Sequence, residues 1–233
     1  SLVVSLLVVF NVPINICIHI PWNFRLLLIL FLVRKFFRER NYMEMPCIDE
    51  KAVEEAIELY AKTKNGRYID TTLDRACFRV MSDAAEKLGI PYVATYVRKL
   101  ADITNLKTLY RIYTLKRTEQ ELTESLVPGG EISAEALLHA FKSDNAAAAL
   151  KETGYGRLCD SMELGFTAFE KACDDYLTEY VKEAKYKTLT PEPVAAYILA
   201  KETEAKCVRI IMTCKLHNID AETIKERVRE AYV

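Results

Sequence analysis

The sequence predicts an all-α fold, and three observations carry that prediction. Only seven glycines and seven prolines interrupt 233 residues, and from Met43 onward Ala, Leu, Glu, Lys and Arg, all good helix formers, dominate. After residue 42 the apolar residues recur at helical spacing and show no convincing two-residue alternation of a half-buried strand. Capping and stopping residues fall at the ends of those apolar runs.

Element by element, Ala52, Val53, Ala56, Ile57 and Tyr60 form one helical stripe, ended by Asn65-Gly66. Leu73, Ala76, Cys77, Val80, Met81, Ala84 and Leu88 form the next, stopped by Gly89 with Pro91 two residues on. A long third helix carries Tyr92, Val93, Tyr96, Val97, Leu100, Ile103, Leu106, Leu109 and Tyr113. Thr118 with Glu121 makes a capping box for a short fourth helix. Pro128-Gly129-Gly130 is a turn, and Ser133 caps the helix holding Leu137, Leu138 and Phe141. After a break at Gly154 and Gly156, a long helix carries Phe169, Ala172, Cys173, Tyr176, Leu177, Tyr180 and Ala184. Pro193 suits the first turn of a further long helix, where Val194, Tyr197, Ile198, Ala205, Val208, Ile211, Met212 and Leu216 read as one stripe for a core. Asp220 caps a last helix toward Val233.

Residues 1–42 do not match this pattern. Ser1 to Phe24 has no formal charge, Leu26 to Val33 is wholly apolar, and Arg34-Lys35-Phe36-Phe37-Arg38-Glu39-Arg40 follows. Polar residues and two prolines break the first run, and Arg25 separates it from a second run too short to span a bilayer. The segment is read as foreign to the domain, upstream sequence read through in frame, with a membrane helix as the other reading. It carries +4 against −5 for the remainder. Such a body has no basic surplus to draw it onto nucleic acid. The seven cysteines (17, 47, 77, 159, 173, 207, 214) include no C-x-x-C pair and read as small buried hydrophobes.

Two stretches echo each other: Leu73-Asp74-Arg75-Ala76-Cys77 and Phe169-Glu170-Lys171-Ala172-Cys173. Each precedes a proline break and a Tyr-containing helix with an acid and then an arginine, Asp102 and Arg111 in one, Glu202 and Arg209 in the other. The expectation is two related helical units, residues 43–153 and 154–233, each covering an apolar face the other leaves open.

Several pieces resemble the C subunit of the V/A-type rotary ATPases, known in eukaryotes as the d subunit. They are Tyr68-Ile69-Asp70, Leu73-Asp74, the run from Ala101-Asp102-Ile103-Thr104-Asn105-Leu106-Lys107 to Arg111, the turn Leu126-Val127-Pro128-Gly129-Gly130-Glu131-Ile132, and Ala172-Cys173-Asp174-Asp175-Tyr176-Leu177. Pro191 to Glu202, Cys207 to Ile211, Lys215 and the closing Arg229-Glu230-Ala231-Tyr232-Val233 complete the order. Cys207 and Cys214 depart from the Asn and Gly common in that family. The resemblance implies an all-helical funnel of three pseudo-repeat units, of which two are present here. It implies a non-catalytic rotor subunit without cofactor, at the cytoplasmic face of a membrane, joining the D and F subunits of the central stalk to the membrane c-ring. Asp102, Arg111, Glu202, Glu204, Arg209 and Lys215 are the candidate partner-facing residues; the plainer expectation is a Glu202–Lys206 pair on a solvated face. A generic helical scaffold or adaptor is the alternative function.

Enzymatic readings find little footing. Asp174-Asp175 resembles half of an aspartate-rich magnesium motif, but the second half is missing and a solvated acidic face explains the run better. His139 and His217 lack partners at metal-ligand spacing, and the chain has no G-x-x-x-x-G-K-[ST] loop and no nucleophile set beside a base.

Overall fold

The computed structural model describes residues 50–143 and 145–232, and every regular element among them is helical. They belong to two compact units, one extending to Val80 and one beginning at Met81.

The first unit contains α1 (Glu50–Thr63) and the larger part of α2 (Arg67–Leu88). Lys64 takes φ 56° to end α1, and the Asn65 side chain accepts the Arg67 N–H at 3.1 Å to start α2. Ala52, Val53 and Ala56 of the predicted α1 stripe are buried, whereas Ile57 and Tyr60 are exposed. On α2, burial and then the charge of Asp74 push the Cys77 thiol up.

In the second unit Gly89, at φ +67°, lets α2 end, and extended Ile90 leads into Pro91 at the head of α3 (Pro91–Thr114). Four short helices follow, three of them begun by a side-chain cap. Thr118 accepts the Glu121 N–H before α4 (Glu119–Ser125), and Ser133 the Ala136 N–H before α5 (Ala134–Lys142). Asn145 caps α6 (Ala146–Leu150), and α7 (Gly156–Ser161) follows the turn at Gly154. The long α8 (Phe166–Lys182) and α9 (Glu192–Leu216) come next, and Asp220 caps α10 (Ala221–Arg227).

The core forms where α3 and α8 meet the short helices. Ile103, Leu106 and Leu109 of α3 pack with Leu122, Leu137, Leu150, Leu158, Phe169 and Cys173. At about 1.5–3 kcal/mol for each large side chain removed from water, this cluster dominates the stability of the unit. Leu150 and Leu158 flank the Gly154–Gly156 turn and share this one core. A smaller cluster of Tyr92, Val181, Ala184 and Ala196 joins the start of α3, the end of α8 and the start of α9. There the Tyr92 hydroxyl donates to the Val181 carbonyl and the Tyr180 hydroxyl to the Tyr92 carbonyl, with the two rings stacked at 5.0 Å. No helix among the described residues is long and apolar enough to cross a membrane.

Candidate functional site: the outer face of α9 and the anchors behind it

Two polar residues one turn apart on α3, Asp102 and Asn105, face inward and are buried. Asn105 grips the backbone of Val127 from both sides, donating to its carbonyl at 2.9 Å and accepting its N–H at 2.8 Å. Asp102 accepts the N–H groups of Glu131 and Ile132 at 3.1 and 3.0 Å and the Tyr155 hydroxyl at 2.8 Å. Burial and this last bond push the Tyr155 pKa upward. Together the two side chains satisfy backbone groups on both flanks of the Pro128-Gly129-Gly130 turn, which have no helix or sheet to pair with. The turn needs both glycines for different reasons. Gly129 stands at φ +94°, and a Cβ on Gly130 would lie 2.2 Å from Asp102 Oδ1.

A second anchor gathers four parts of the chain on Asp174 of α8. Lys107 of α3 reaches it at 2.8 Å, Lys206 of α9 contacts its other oxygen, and Arg229 Nε meets it at 2.6 Å. Arg229 also reaches Glu170 at 3.5 Å. Burial alone would raise the Asp174 pKa, but Lys107 and Lys206 outweigh it and hold the carboxyl at about 2. Next to it, Asp175 accepts the Glu230 N–H at 2.7 Å. The expected solvated acidic face is therefore corrected: Asp174 is the hub of a partly buried ion cluster. Among the described residues no three His, Cys, Asp or Glu side chains are grouped to hold a metal ion.

Through Lys206 the Asp174 cluster ties down α9, a helix about 37 Å long at 1.5 Å per residue. Its inner side fully buries only Ala196 and Cys214. Val194, Tyr197, Ile198, Val208, Met212 and Leu216 are 41–79 % exposed. Six of the eight residues that the periodicity assigned to a core thus lie on the outside of the second unit, with Ala205 and Ile211 half-buried. Near the middle of this stripe Lys201 pairs with Glu204. Arg209 and Lys215 are exposed beside it and have no ion-pair partner among the described residues. This face is therefore apolar, with two positive charges along it.

Comparison with known proteins places this architecture. A model of the ATP synthase (C/AC39) subunit family matches residues 18–227. The chain belongs to this family. It is 27 % identical over 170 residues to the C subunit of the V-type sodium ATPase of Enterococcus hirae, covering 70 % of this chain and 52 % of that protein. It is 30 % identical over 141 residues to the C subunit of the A-type ATP synthase of Thermococcus onnurineus, covering 58 % and 38 %. A third relative, the C subunit of the A-type ATP synthase of Methanobrevibacter smithii, is 27 % identical over 175 residues, covering 70 % and 42 %. The chain spans about half the length of these V/A-type relatives, or less. No solved structure is significantly similar to it.

Within this C/AC39 architecture the six candidate residues separate. Asp102 is fully buried, and its oxygens accept from the turn and from the Tyr155 hydroxyl. Arg111 is exposed, its guanidinium 5.4 Å over the Phe166 ring. Glu202 is half-buried, and burial pushes its carboxyl pKa up. The expected Glu202–Lys206 pair is replaced by Lys206–Asp174, because Lys206 points inward to the hub. Glu204, Arg209 and Lys215 all lie on the exposed side of α9. Sequence reasoning missed Asn105, Lys107, Asp174 and Arg229 as anchors. Three of the four stand inside the motif pieces quoted for the resemblance, and Arg229 opens the closing run. Their partners lie tens of residues away, beyond the reach of any local spacing rule. The segment 1–42, and with it the question of its origin, lies outside the described residues.

Proposed function

We propose that this chain serves as a non-catalytic rotor subunit of a V/A-type ATPase, joining the central stalk to the membrane c-ring. The single observation that carries this reading, beside the family, is the uncovered apolar stripe of α9 with Arg209 and Lys215 along it. The D and F subunits of the stalk dock on this outer face, with Glu202, Glu204, Arg209, Lys215 and the exposed Arg111 as rim contacts. The protein works mechanically, at the cytoplasmic face of the membrane: torque enters through α9 and passes to the body through the Asp174 cluster and the α3–α8 core. A close-packed interior suits that work because it transmits strain rather than absorbing it. In this reading α3 and α9, both within the second unit, are counterparts in the sequence echo.

Charge reversal at Arg209 tests the reading. Arg209→Glu should leave the melting temperature within about 1 °C, since the side chain is exposed and has no ion-pair partner among the described residues. Affinity for a D–F stalk complex should fall about tenfold at low salt, with a smaller loss at high salt, as expected where charge steers docking. Unchanged binding by this variant and by Lys215→Glu would reject α9 as the stalk-facing surface.

A further inference from the structure

The last described residues, Val228 to Tyr232, have no regular secondary structure, yet Arg229 is buried. They run as a strap alongside α8 and α9. Arg229 bonds to Asp174 and Glu170, the Glu230 N–H to Asp175, and the Glu230 carboxylate to Lys182 at 2.8 Å. Toward α9, the Cys207 thiol meets the Arg229 carbonyl at 3.8 Å and Tyr232 packs on the small tyrosine-rich cluster. The strap spans its gap without filling it. A groove of about 500 Å³ lies on one side and one of about 390 Å³ on the other, and Val228, Arg229 and Glu230 line both.

We infer that this strap is a latch: through Arg229 it closes the C-terminal half of α9, with α10, onto α8, and its release frees that arm while the α3–α8 core stays folded. Three observations support a detachable arm. Beyond Lys206, α9 fully buries only Cys214, so little apolar surface holds it down. Apart from the packing of Tyr232, the contacts given for the strap are ion pairs and single hydrogen bonds beside open grooves, the kind of attachment that opens locally rather than with the whole domain. The charges also favour release. Asp174 and Glu170 face Lys107, Lys206 and Arg229, so when Arg229 leaves, Asp174 keeps two lysines and is not stranded as a buried unpaired charge.

Amide hydrogen exchange on the full chain tests the latch. Arg229→Gln should speed exchange across Cys207–Arg227 at least tenfold while α3 and α8 stay within twofold of the parent. A milder variant, Asp175→Ala with Lys182→Gln, loosens the outer contacts and should speed the same arm about threefold. If Arg229→Gln gives no folded protein, the milder variant decides alone. Unchanged exchange in the arm overturns the latch. Equal acceleration in α3 and α8 overturns it as well, since the strap would then be part of the general fold.

Discussion

Helices α3 and α9 have nearly the same length and the same pattern of apolar turns interrupted by charge, but they end in opposite situations. Nine residues of α3 are buried, among them Asp102 and Asn105, whereas α9 fully buries only Ala196 and Cys214. On α3 the polar residues point inward and organise a turn; on α9 the apolar residues point outward. Helical periodicity announces that a face prefers cover. It does not say whether the same chain provides that cover.

Four variants test how deep this contrast runs. The largest effect belongs to Asp102→Ala, which strands the N–H groups of Glu131 and Ile132 and the Tyr155 hydroxyl in a buried site. Urea unfolding should report a loss of about 4 kcal/mol. Leu106→Ala, in the centre of the α3 core, should cost about 3 kcal/mol by the same measurement.

The Asp174 cluster comes next. Its folded pKa of about 2 lies below the unfolded value, so the unfolded chain binds the extra proton. The resulting stability, roughly 2 kcal/mol, is fully present above about pH 4 and disappears as pH falls through about 2. Asp174→Asn should remove that part of the acid dependence, measured as unfolding free energy between pH 2 and 5. The smallest effect is expected on the outer face of α9. Val208→Ser with Met212→Ser should change stability by less than about 0.5 kcal/mol, because both side chains already meet solvent. A loss comparable to that of Leu106→Ala would dissolve the contrast between the two helices.

Much of the fold was legible because helix signals are local. The Thr118, Ser133 and Asp220 caps, the stops at Gly89 and Gly154, and Pro193 in the first turn of α9 all do what neighbouring residues dictate. The anchors were not legible for the opposite reason. Lys107 and Asp174 are 67 residues apart and Arg229 is 55 beyond Asp174, so no periodicity links them. The Pro128-Gly129-Gly130 turn stands between these cases. Its glycines mark a turn from sequence alone, but the requirement for Gly130 appears only when Asp102 closes on it.

By itself, then, the sequence determined the all-helical class, most helix ends and the resemblance to the rotary ATPase family, since each depends on residue order and short-range backbone preference. Only the tertiary structure decided which apolar stripes are covered, that Asp102 is buried against a turn, and that Asp174 is the half-buried hub of an ion cluster instead of a solvated acid. Burial and charge pairing depend on what residues far along the chain bring to the same place, and only the packed chain fixes that.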